Sequence, residues 1–114
     1  MPGRSERGYD RAMTTEPGCP FCAVAPTRIA YEAKLVIGLW DAYPVTDGHA
    51  LVVPRRHVAS WFEATDDERA ALMDGVAAMR ALVLARGPVD GWNLGINDGA
   101  AAGQTVPHLH VHLI

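Results

Sequence analysis

The spacing of apolar residues changes several times along the chain, and each change predicts a new element of structure. Residues 28–32 and 35–41 are rich in aliphatic and aromatic side chains, and the short break at Lys34 predicts an antiparallel hairpin. Residues 49–54 form another apolar run that ends at a proline, which predicts a third strand. The loop before this strand contains three residues typical of turns: Pro44, Asp47 and Gly48.

A helical period follows these strands. Thr65 and Glu68 have the spacing of a capping box, in which each side chain binds the backbone N–H of the other residue. Four apolar residues then recur at helical spacing: Leu72, Val76, Met79 and Val83. Gly87 and Pro88 predict the end of the helix, since glycine forms a left-handed cap and proline cannot continue the hydrogen bonds.

Two further strands are predicted at residues 92–97 and 108–114, on either side of a glycine-rich loop at 98–103. In both segments large apolar residues alternate with polar residues or glycine, which is the period of a strand. Successive side chains in a strand point to opposite faces, so three of the chain's five histidines share one face of the last strand. They are His108, His110 and His112, while Leu109, Val111 and Leu113 face the core.

These elements predict an α+β domain, with an antiparallel sheet of about five strands, one long helix and one short helix. Residues 1–16 show neither the helical nor the strand periodicity and are expected to form a flexible tail. The folded domain is then expected to span residues 17–114. A chain of 114 residues is too short for a second full domain.

Composition and charge narrow the range of partners. The formal net charge of -3 and the pI near 5.9 disfavour a broad nucleic-acid surface, which needs clustered Lys and Arg. No apolar stretch approaches the roughly 20 residues of a membrane-spanning helix, and the N-terminus lacks the apolar run of a secretory signal. We therefore expect a cytoplasmic protein without nucleic-acid or membrane partners.

The histidine face is a candidate catalytic site. An imidazole has an ordinary pKa of about 6.5, which allows acid–base chemistry near neutral pH. The loop at 97–105 adds hydrogen-bond donors and closely approachable backbone, which suit phosphate oxygens. From these residues alone, an exposed histidine-rich face or an incidental metal-binding face remains open.

The two cysteines of the chain, Cys19 and Cys22, are candidate metal ligands. A disulfide between them would close a loop too short to have much entropic value. The prolines at 17 and 26 fit poorly with a thioredoxin-like redox motif, which needs a helix opening at the first cysteine. Metal binding requires two more ligands, and the spacing along the chain does not identify them by itself.

The alternation of histidines and apolar residues at 108–114 resembles the signature of the histidine-triad (HIT) superfamily. Three further segments look like those of bacterial HIT hydrolases: Asp41 after its hydrophobic strand, residues 48–57, and residues 97–106. Together with the cysteine pair, the resemblance covers roughly residues 19–114.

This resemblance implies a nucleotide hydrolase that acts at an α-phosphate. His110 would be the nucleophile, forming a covalent nucleotidyl-histidine while its Nδ1–H donates to a backbone carbonyl. His112 and His49 resemble the phosphate-contacting histidines of the family. The other implied substrate contacts are Leu39 to the base, Asp41 to the ribose hydroxyls, and Asn97, Gly103, Gln104 and Thr105 around the phosphates and leaving group.

The same resemblance implies a structural zinc ion bound by Cys19, Cys22, His57 and His108, with no open coordination position. It also implies a homodimer in which the sheets of two subunits join. Relatives usually continue past the triad motif into a segment that helps to shape the substrate pocket, whereas this sequence ends at Ile114. This difference leaves the substrate selectivity open and would weaken the dimer.

Several functions are compatible with the same residues. The substrate would be a dinucleoside polyphosphate or a nucleoside phosphoramidate, and residues 103–106 look closer to the dinucleoside polyphosphate hydrolases. A nucleotidyltransferase or phosphorylase would use the same intermediate with another acceptor. A non-enzymatic nucleotide-binding protein is the third alternative.

Other conspicuous residues are expected to have structural roles. We expect core packing for four aromatic residues: Trp40, Trp61, Phe62 and Trp92. The adjacent Arg55 and Arg56 are expected to be an ordinary solvated pair at the surface.

Overall fold

The computed structural model describes residues 15–41 and 48–114. The predicted tail, apart from Thr15 and Glu16, lies outside the described residues, as do Pro44 and Asp47 of the predicted turn. Gly48 of the same turn has a φ of +83°, a left-handed conformation that glycine adopts readily.

The described residues form a five-stranded antiparallel sheet, which confirms the predicted α+β class. The strands are β1 (Ile29–Glu32), β2 (Val36–Trp40), β3 (Ala50–Pro54), β4 (Leu94–Gly95) and β5 (Val111–Leu113), in the spatial order β1-β2-β3-β5-β4. Lys34 lies in the short connection of the β1–β2 hairpin, as predicted.

The last two strands are shorter than predicted. β3 pairs with β5 at residues 50–52 only, although β3 continues to Pro54. Proline has no N–H to donate, so the ladder cannot extend to the residues before Val111. Leu109 N–H instead donates to the Val58 carbonyl at 2.7 Å. His108 and His110 therefore lie just before β5, and β4 is limited to two residues at the sheet edge.

The predicted long helix, α1, spans Asp66–Leu84, and its capping box is formed in both directions by Thr65 and Glu68. Ala85 closes the helix in the right-handed conformation, and Gly87, at φ 155°, does not form the expected left-handed cap. The remaining helical structure of the described residues is three single 3-10 turns: Pro26–Arg28, Trp61–Glu63 and Ala100–Ala102.

The main core lies between α1 and one face of the sheet. It includes Leu72 and Met79 of α1 and Val52, Val111 and Leu113 of the strands. Gly75 lets α1 approach β3 closely, because a Cβ there would lie 2.6 Å from Val52 Cγ1. The opposite face carries a smaller cluster: Ile37, Leu39, Leu51 and Val53, with Phe21, Val24 and Ile29 packed against them.

Two structural expectations need correction. Trp40, Trp61 and Trp92 pack against the main core as expected, but Phe62 on a 3-10 turn is 81% exposed. Arg56 is not a solvated surface residue, because its guanidinium donates to both carboxylate oxygens of the buried Glu68, at 2.8 and 3.0 Å.

The Arg56–Glu68 pair links the segment after β3 to the first turn of α1. Burial favours the neutral form of Glu68, but the hydrogen bonds from Arg56 and the Thr65 N–H outweigh it and lower the pKa of Glu68 below its usual 4.5. The carboxylate therefore stays ionised at neutral pH despite its burial.

No helix among the described residues is both long and apolar enough to cross a membrane.

Replacing Glu68 with Gln should lower the free energy of unfolding by roughly 1–3 kcal/mol at pH 7, since Gln can still cap α1 but cannot pair with Arg56. A lowered folded-state pKa stabilises the protein above pH 4.5, and this contribution is lost as the pH falls through that pKa. Urea unfolding curves at several pH values should show the wild-type advantage shrinking below about pH 4.5.

The matched control is Glu32→Gln, which removes the exposed pair of Glu32 with Arg55 at 3.4 Å. That substitution should change the unfolding free energy by less than about 1 kcal/mol at every pH. Equal effects at both positions, or no pH dependence at Glu68, would contradict the assigned role of the pair.

Candidate active site and metal centre

The pocket on the sheet face opposite α1 contains the predicted catalytic histidines. Val111 and Leu113 point into the main core, so the alternation in β5 directs His112 to the other face, as predicted. The pocket has a volume of about 500 Å³. Its lining residues are Pro20, Phe21, Arg28, Asp41, His49, Leu51, Thr105, Val106, His110 and His112.

His110 is held in the tautomer that the sequence analysis predicts. Its Nδ1 lies 2.9 Å from the backbone carbonyl of His108. A carbonyl oxygen only accepts hydrogen bonds, so Nδ1 carries the proton and Nε2 keeps its lone pair when the ring is neutral. When the ring is neutral, this geometry leaves a nitrogen lone pair at the wall of the pocket.

His112 and His49 lie beside each other in the same pocket, with ring centroids 6.3 Å apart. Burial lowers the pKa of His112 below its usual 6.5, and positive charge on His110 or His49 would lower it further, against the opposing effect of Asp41. His112 is therefore neutral at pH 7. A Cβ on Gly95 would lie 2.5 Å from His112 Nε2, so the absence of a side chain in β4 makes room for this ring.

Asp41 reaches the pocket because β2 pairs with β3, which places the residue after Trp40 opposite His49. The Asp41 N–H donates to the His49 carbonyl at 3.0 Å, and His49 Nδ1 lies 3.2 Å from Asp41 Oδ2. The structure thus couples two residues that the sequence predicts separately as ribose and phosphate contacts.

The loop after β4 contributes less to the pocket than predicted. Thr105 lines it, but Gly103, Asn97 and Gln104 do not. The Asn97 amide donates to the Ala102 carbonyl at 2.7 Å, and both ends of the Gln104 amide are hydrogen-bonded within the loop and to Ala59. These residues shape the loop that presents Thr105.

Leu39 also lies outside the pocket lining. Its side chain is fully buried, which gives no support to the predicted base contact, and its strand partner Leu51 lines the pocket instead. Phe21 and Arg28 also line the pocket, and neither was predicted from the sequence. The position of Phe21 between two candidate metal ligands could have indicated that it lies near the site. Arg28 had no such signal, because it reaches the pocket through a tertiary contact in which its Nε–H donates to the Trp40 carbonyl across the hairpin.

The four predicted metal ligands converge next to this pocket. The ligand atoms of Cys19, Cys22, His57 and His108 all lie within 4.8 Å of one another. His108 Nδ1 is 3.4 Å from Cys19 Sγ and 3.5 Å from Cys22 Sγ, and His57 Nδ1 is 3.3 Å from Cys22 Sγ. In a tetrahedral zinc site the sulfur and nitrogen ligands lie about 3.6 Å apart, so the four side chains fit such an ion closely.

The orientation of His108 also fits a metal ligand. Its Nε2–H donates to the Pro54 carbonyl at 2.8 Å, which leaves the Nδ1 lone pair directed at the two sulfurs. Burial lowers the pKa of His108, so the ring is neutral, and the hydrogen bond to Pro54 only partly opposes this effect. The side chain is thus ready to coordinate without losing a proton.

The Cys22 thiol needs a nearby positive charge to ionise near neutral pH. Burial and the neighbouring Cys19 raise the pKa of the Cys22 thiol above its usual 9.0, although the Glu16 N–H partly opposes this. A bound divalent cation would reverse this effect by stabilising both thiolates. The donor set of two sulfurs and two imidazoles is one that zinc prefers.

The comparisons with known proteins all indicate the same family. The family model described as HIT domain matches residues 23–114. The chain is 37% identical over 100 residues to an uncharacterized HIT-like protein of Methanocaldococcus jannaschii, covering 84% of this chain and 77% of that protein.

Two relatives carry names that state an activity. An adenylylsulfatase of Arabidopsis thaliana is 33% identical over 98% of this chain and 59% of its own length. An asymmetrical bis(5'-nucleosyl)-tetraphosphatase of Schizosaccharomyces pombe is 35% identical over 77% of this chain and 48% of its own length.

A crystal structure similar to this chain is that of a zinc-bound histidine triad family protein of Mycobacterium smegmatis. It has a TM-score of 0.72 and 34% identity, over 85% of this chain and 73% of that one. With a family model covering most of the described domain and a matching fold, this chain belongs to the HIT domain family.

Proposed function

We propose that this protein is a nucleotide hydrolase that cleaves at an α-phosphate through a covalent nucleotidyl-His110 intermediate. The observation that carries the proposal is the His110 hydrogen bond to the His108 carbonyl, which makes Nε2 the nucleophilic nitrogen. Two relatives named as an adenylylsulfatase and a tetraphosphatase support chemistry at a nucleotide phosphate.

In the first step, the Nε2 lone pair of His110 forms a bond to the α-phosphorus, and the bond from phosphorus to the leaving group breaks. The leaving atom takes the electron pair and gains a proton from solvent. The imidazole, protonated at Nδ1 and phosphorylated at Nε2, carries one positive charge. Water then attacks the phosphorus, the N–P bond breaks, and its electron pair returns to Nε2, so the ring becomes neutral again. The attacking water releases one proton to solvent, which balances the proton taken up by the leaving group.

The other pocket residues have roles that follow from their chemistry. A neutral His112 offers one N–H to the phosphoryl oxygens, and Thr105 offers a hydroxyl. Asp41 supplies a carboxylate that accepts hydrogen bonds from ribose hydroxyls, with His49 at 3.2 Å orienting it. A volume of about 500 Å³ is sufficient for a nucleoside monophosphate unit. The preferred substrates are dinucleoside polyphosphates or nucleoside phosphoramidates.

We also propose that the metal centre is a structural zinc site. Zinc would hold the segment at Cys19 and Cys22 against His57 and the buried His108. Four protein ligands leave no open position, so the ion would not activate water. Its contribution would be to the folding free energy and to the geometry of the adjoining pocket.

The homodimer and the cytoplasmic location stay predictions. Leu94, in the edge strand β4, is 54% exposed, which supports pairing of β4 with a second subunit. Sedimentation at several protein concentrations tests the dimer, and a monomer at all of them would contradict it.

Replacing His110 with Ala should reduce AMP release from diadenosine polyphosphate or adenosine phosphoramidate by at least about 1,000-fold, because no nucleophile remains. The fold should be unaffected, since the His110 ring is half-buried at the pocket wall. Acid-labile label transferred from substrate to wild-type protein, and absent from the variant, identifies the adduct.

An active, folded His110→Ala variant would contradict the nucleophile assignment. Formation of the adduct with AMP release only after phosphate or a sugar phosphate is added would replace the hydrolase with a transferase. Absence of the adduct with nucleotide binding intact would indicate a binding protein.

Gly95→Ala should lower kcat/KM by roughly tenfold or more, since the added methyl group would displace His112 from its position. The matched control is Gly91→Ala, where an added Cβ meets no atom within 4 Å, and activity should be unchanged. Steady-state kinetics on both variants makes the comparison. Equal activity of the two would mean that the position of His112 does not matter.

Zinc analysis of protein purified without chelator should give about one equivalent per chain, and Cys22→Ser should lose most of it. Removing the ion should lower the melting temperature by several degrees, since a site built from segments far apart in sequence adds stability only when it is filled. Less than about half an equivalent in the wild type would refute the site.

A further inference from the structure

Phe21 lies where the metal centre meets the active site. It sits between Cys19 and Cys22 and, with Pro20, lines the pocket. Its ring contacts two histidines edge-on: the centroid is 5.1 Å from that of His110, at 67°, and 5.9 Å from that of His108, at 89°. One aromatic side chain therefore contacts both the proposed nucleophile and a candidate zinc ligand.

His110 needs side-chain contacts to hold its ring because the sheet does not hold its backbone. β5 begins at Val111, and the β3–β5 pairing likewise begins there. The hydrogen bond from Nδ1 to the His108 carbonyl fixes the tautomer and one edge of the ring. The ring can still swing about this one contact, and the Phe21 ring lies against it at a distance that restricts such motion.

A contact that holds the ring of the proposed nucleophile acts on the chemical step. Its loss should therefore lower kcat and leave substrate binding almost unchanged.

We propose that Phe21 is a positioning residue for His110, and that the two cysteines on either side of it hold it there when the metal is bound. The inference rests on the proposed nucleophilic role of His110. It gives the metal centre a second role, because an ion bound by Cys19 and Cys22 restrains the residue between them.

The test uses the zinc-loaded protein with Phe21→Leu, Phe21→Tyr and the control Phe62→Leu. Phe62 is 81% exposed and away from the pocket lining, so its variant makes the same chemical change without touching His110. The measurements are kcat and KM for AMP release, zinc content, and the ring nitrogen NMR shifts of His110, which report the share of each tautomer.

For Phe21→Leu we expect kcat to fall about three- to tenfold, with KM changed by less than about twofold and full zinc content. The NMR shifts should show a mixture of His110 tautomers in place of the Nδ1–H form. Phe21→Tyr should restore both kcat and the tautomer, and Phe62→Leu should match the wild type.

A rise in KM alone would make Phe21 a wall of the substrate pocket and overturn the proposal. Loss of zinc in both Phe21 variants would assign the residue to folding of the cysteine segment and overturn it as well. Unchanged kcat and an unchanged His110 tautomer in Phe21→Leu would also overturn the proposal, but they would leave the nucleophile assignment intact. If the wild type itself forms no adduct, the proposed function fails, and the His110 NMR shifts in Phe21→Leu still decide whether Phe21 positions the ring.

Discussion

A hydrogen bond of 2.8 Å between His108 Nε2–H and the Pro54 carbonyl organises both halves of the site. It joins the end of β3 to the segment entering β5, where the missing proline N–H prevents ordinary strand pairing. Because the bond uses Nε2, the Nδ1 of His108 faces the cysteines. The backbone carbonyl of the same residue accepts a hydrogen bond from His110 Nδ1–H. One buried residue, His108, therefore supplies a candidate metal ligand through its ring and orients the proposed nucleophile through its backbone carbonyl.

Three consecutive residues after β3 attach this region to the rest of the fold. Arg55 donates to the Ala33 carbonyl in the β1–β2 hairpin, Arg56 pairs with Glu68 of α1, and His57 faces Cys22. The three side chains therefore reach the hairpin, the helix and the cysteine segment. The arrangement makes the metal centre a junction between elements as well as a neighbour of the pocket.

The buried titratable groups have different charge states on the two sides of the sheet. Toward α1, the charge of Glu68 is retained because Arg56 and the Thr65 N–H supply enough hydrogen bonds to outweigh desolvation. In the site, desolvation lowers the pKa values of His108 and His112 and keeps both rings neutral. Metal coordination requires a neutral imidazole, and a neutral His112 still has one N–H to donate to phosphate, so limited exposure is compatible with the proposed chemistry.

Local patterns in the sequence were sufficient to predict the order of the strands along the chain, the capping box of α1 and the common face of His110 and His112. These features depend on residues within a few positions of one another, where backbone geometry sets the period. The cysteine pair was a candidate from its spacing, whereas family resemblance indicated His57, His108 and the role of His110. The structure brings His57 and His108 to cysteines 35 and 89 residues away. Only the tertiary structure determined that Phe21 contacts His110 and that Leu39 is buried. It also determined that the side chains of Asn97 and Gln104 form hydrogen bonds in their own loop instead of lining the pocket. Those outcomes depend on which strands become neighbours and how the loops cross them, and spacing along the chain carries no information about either.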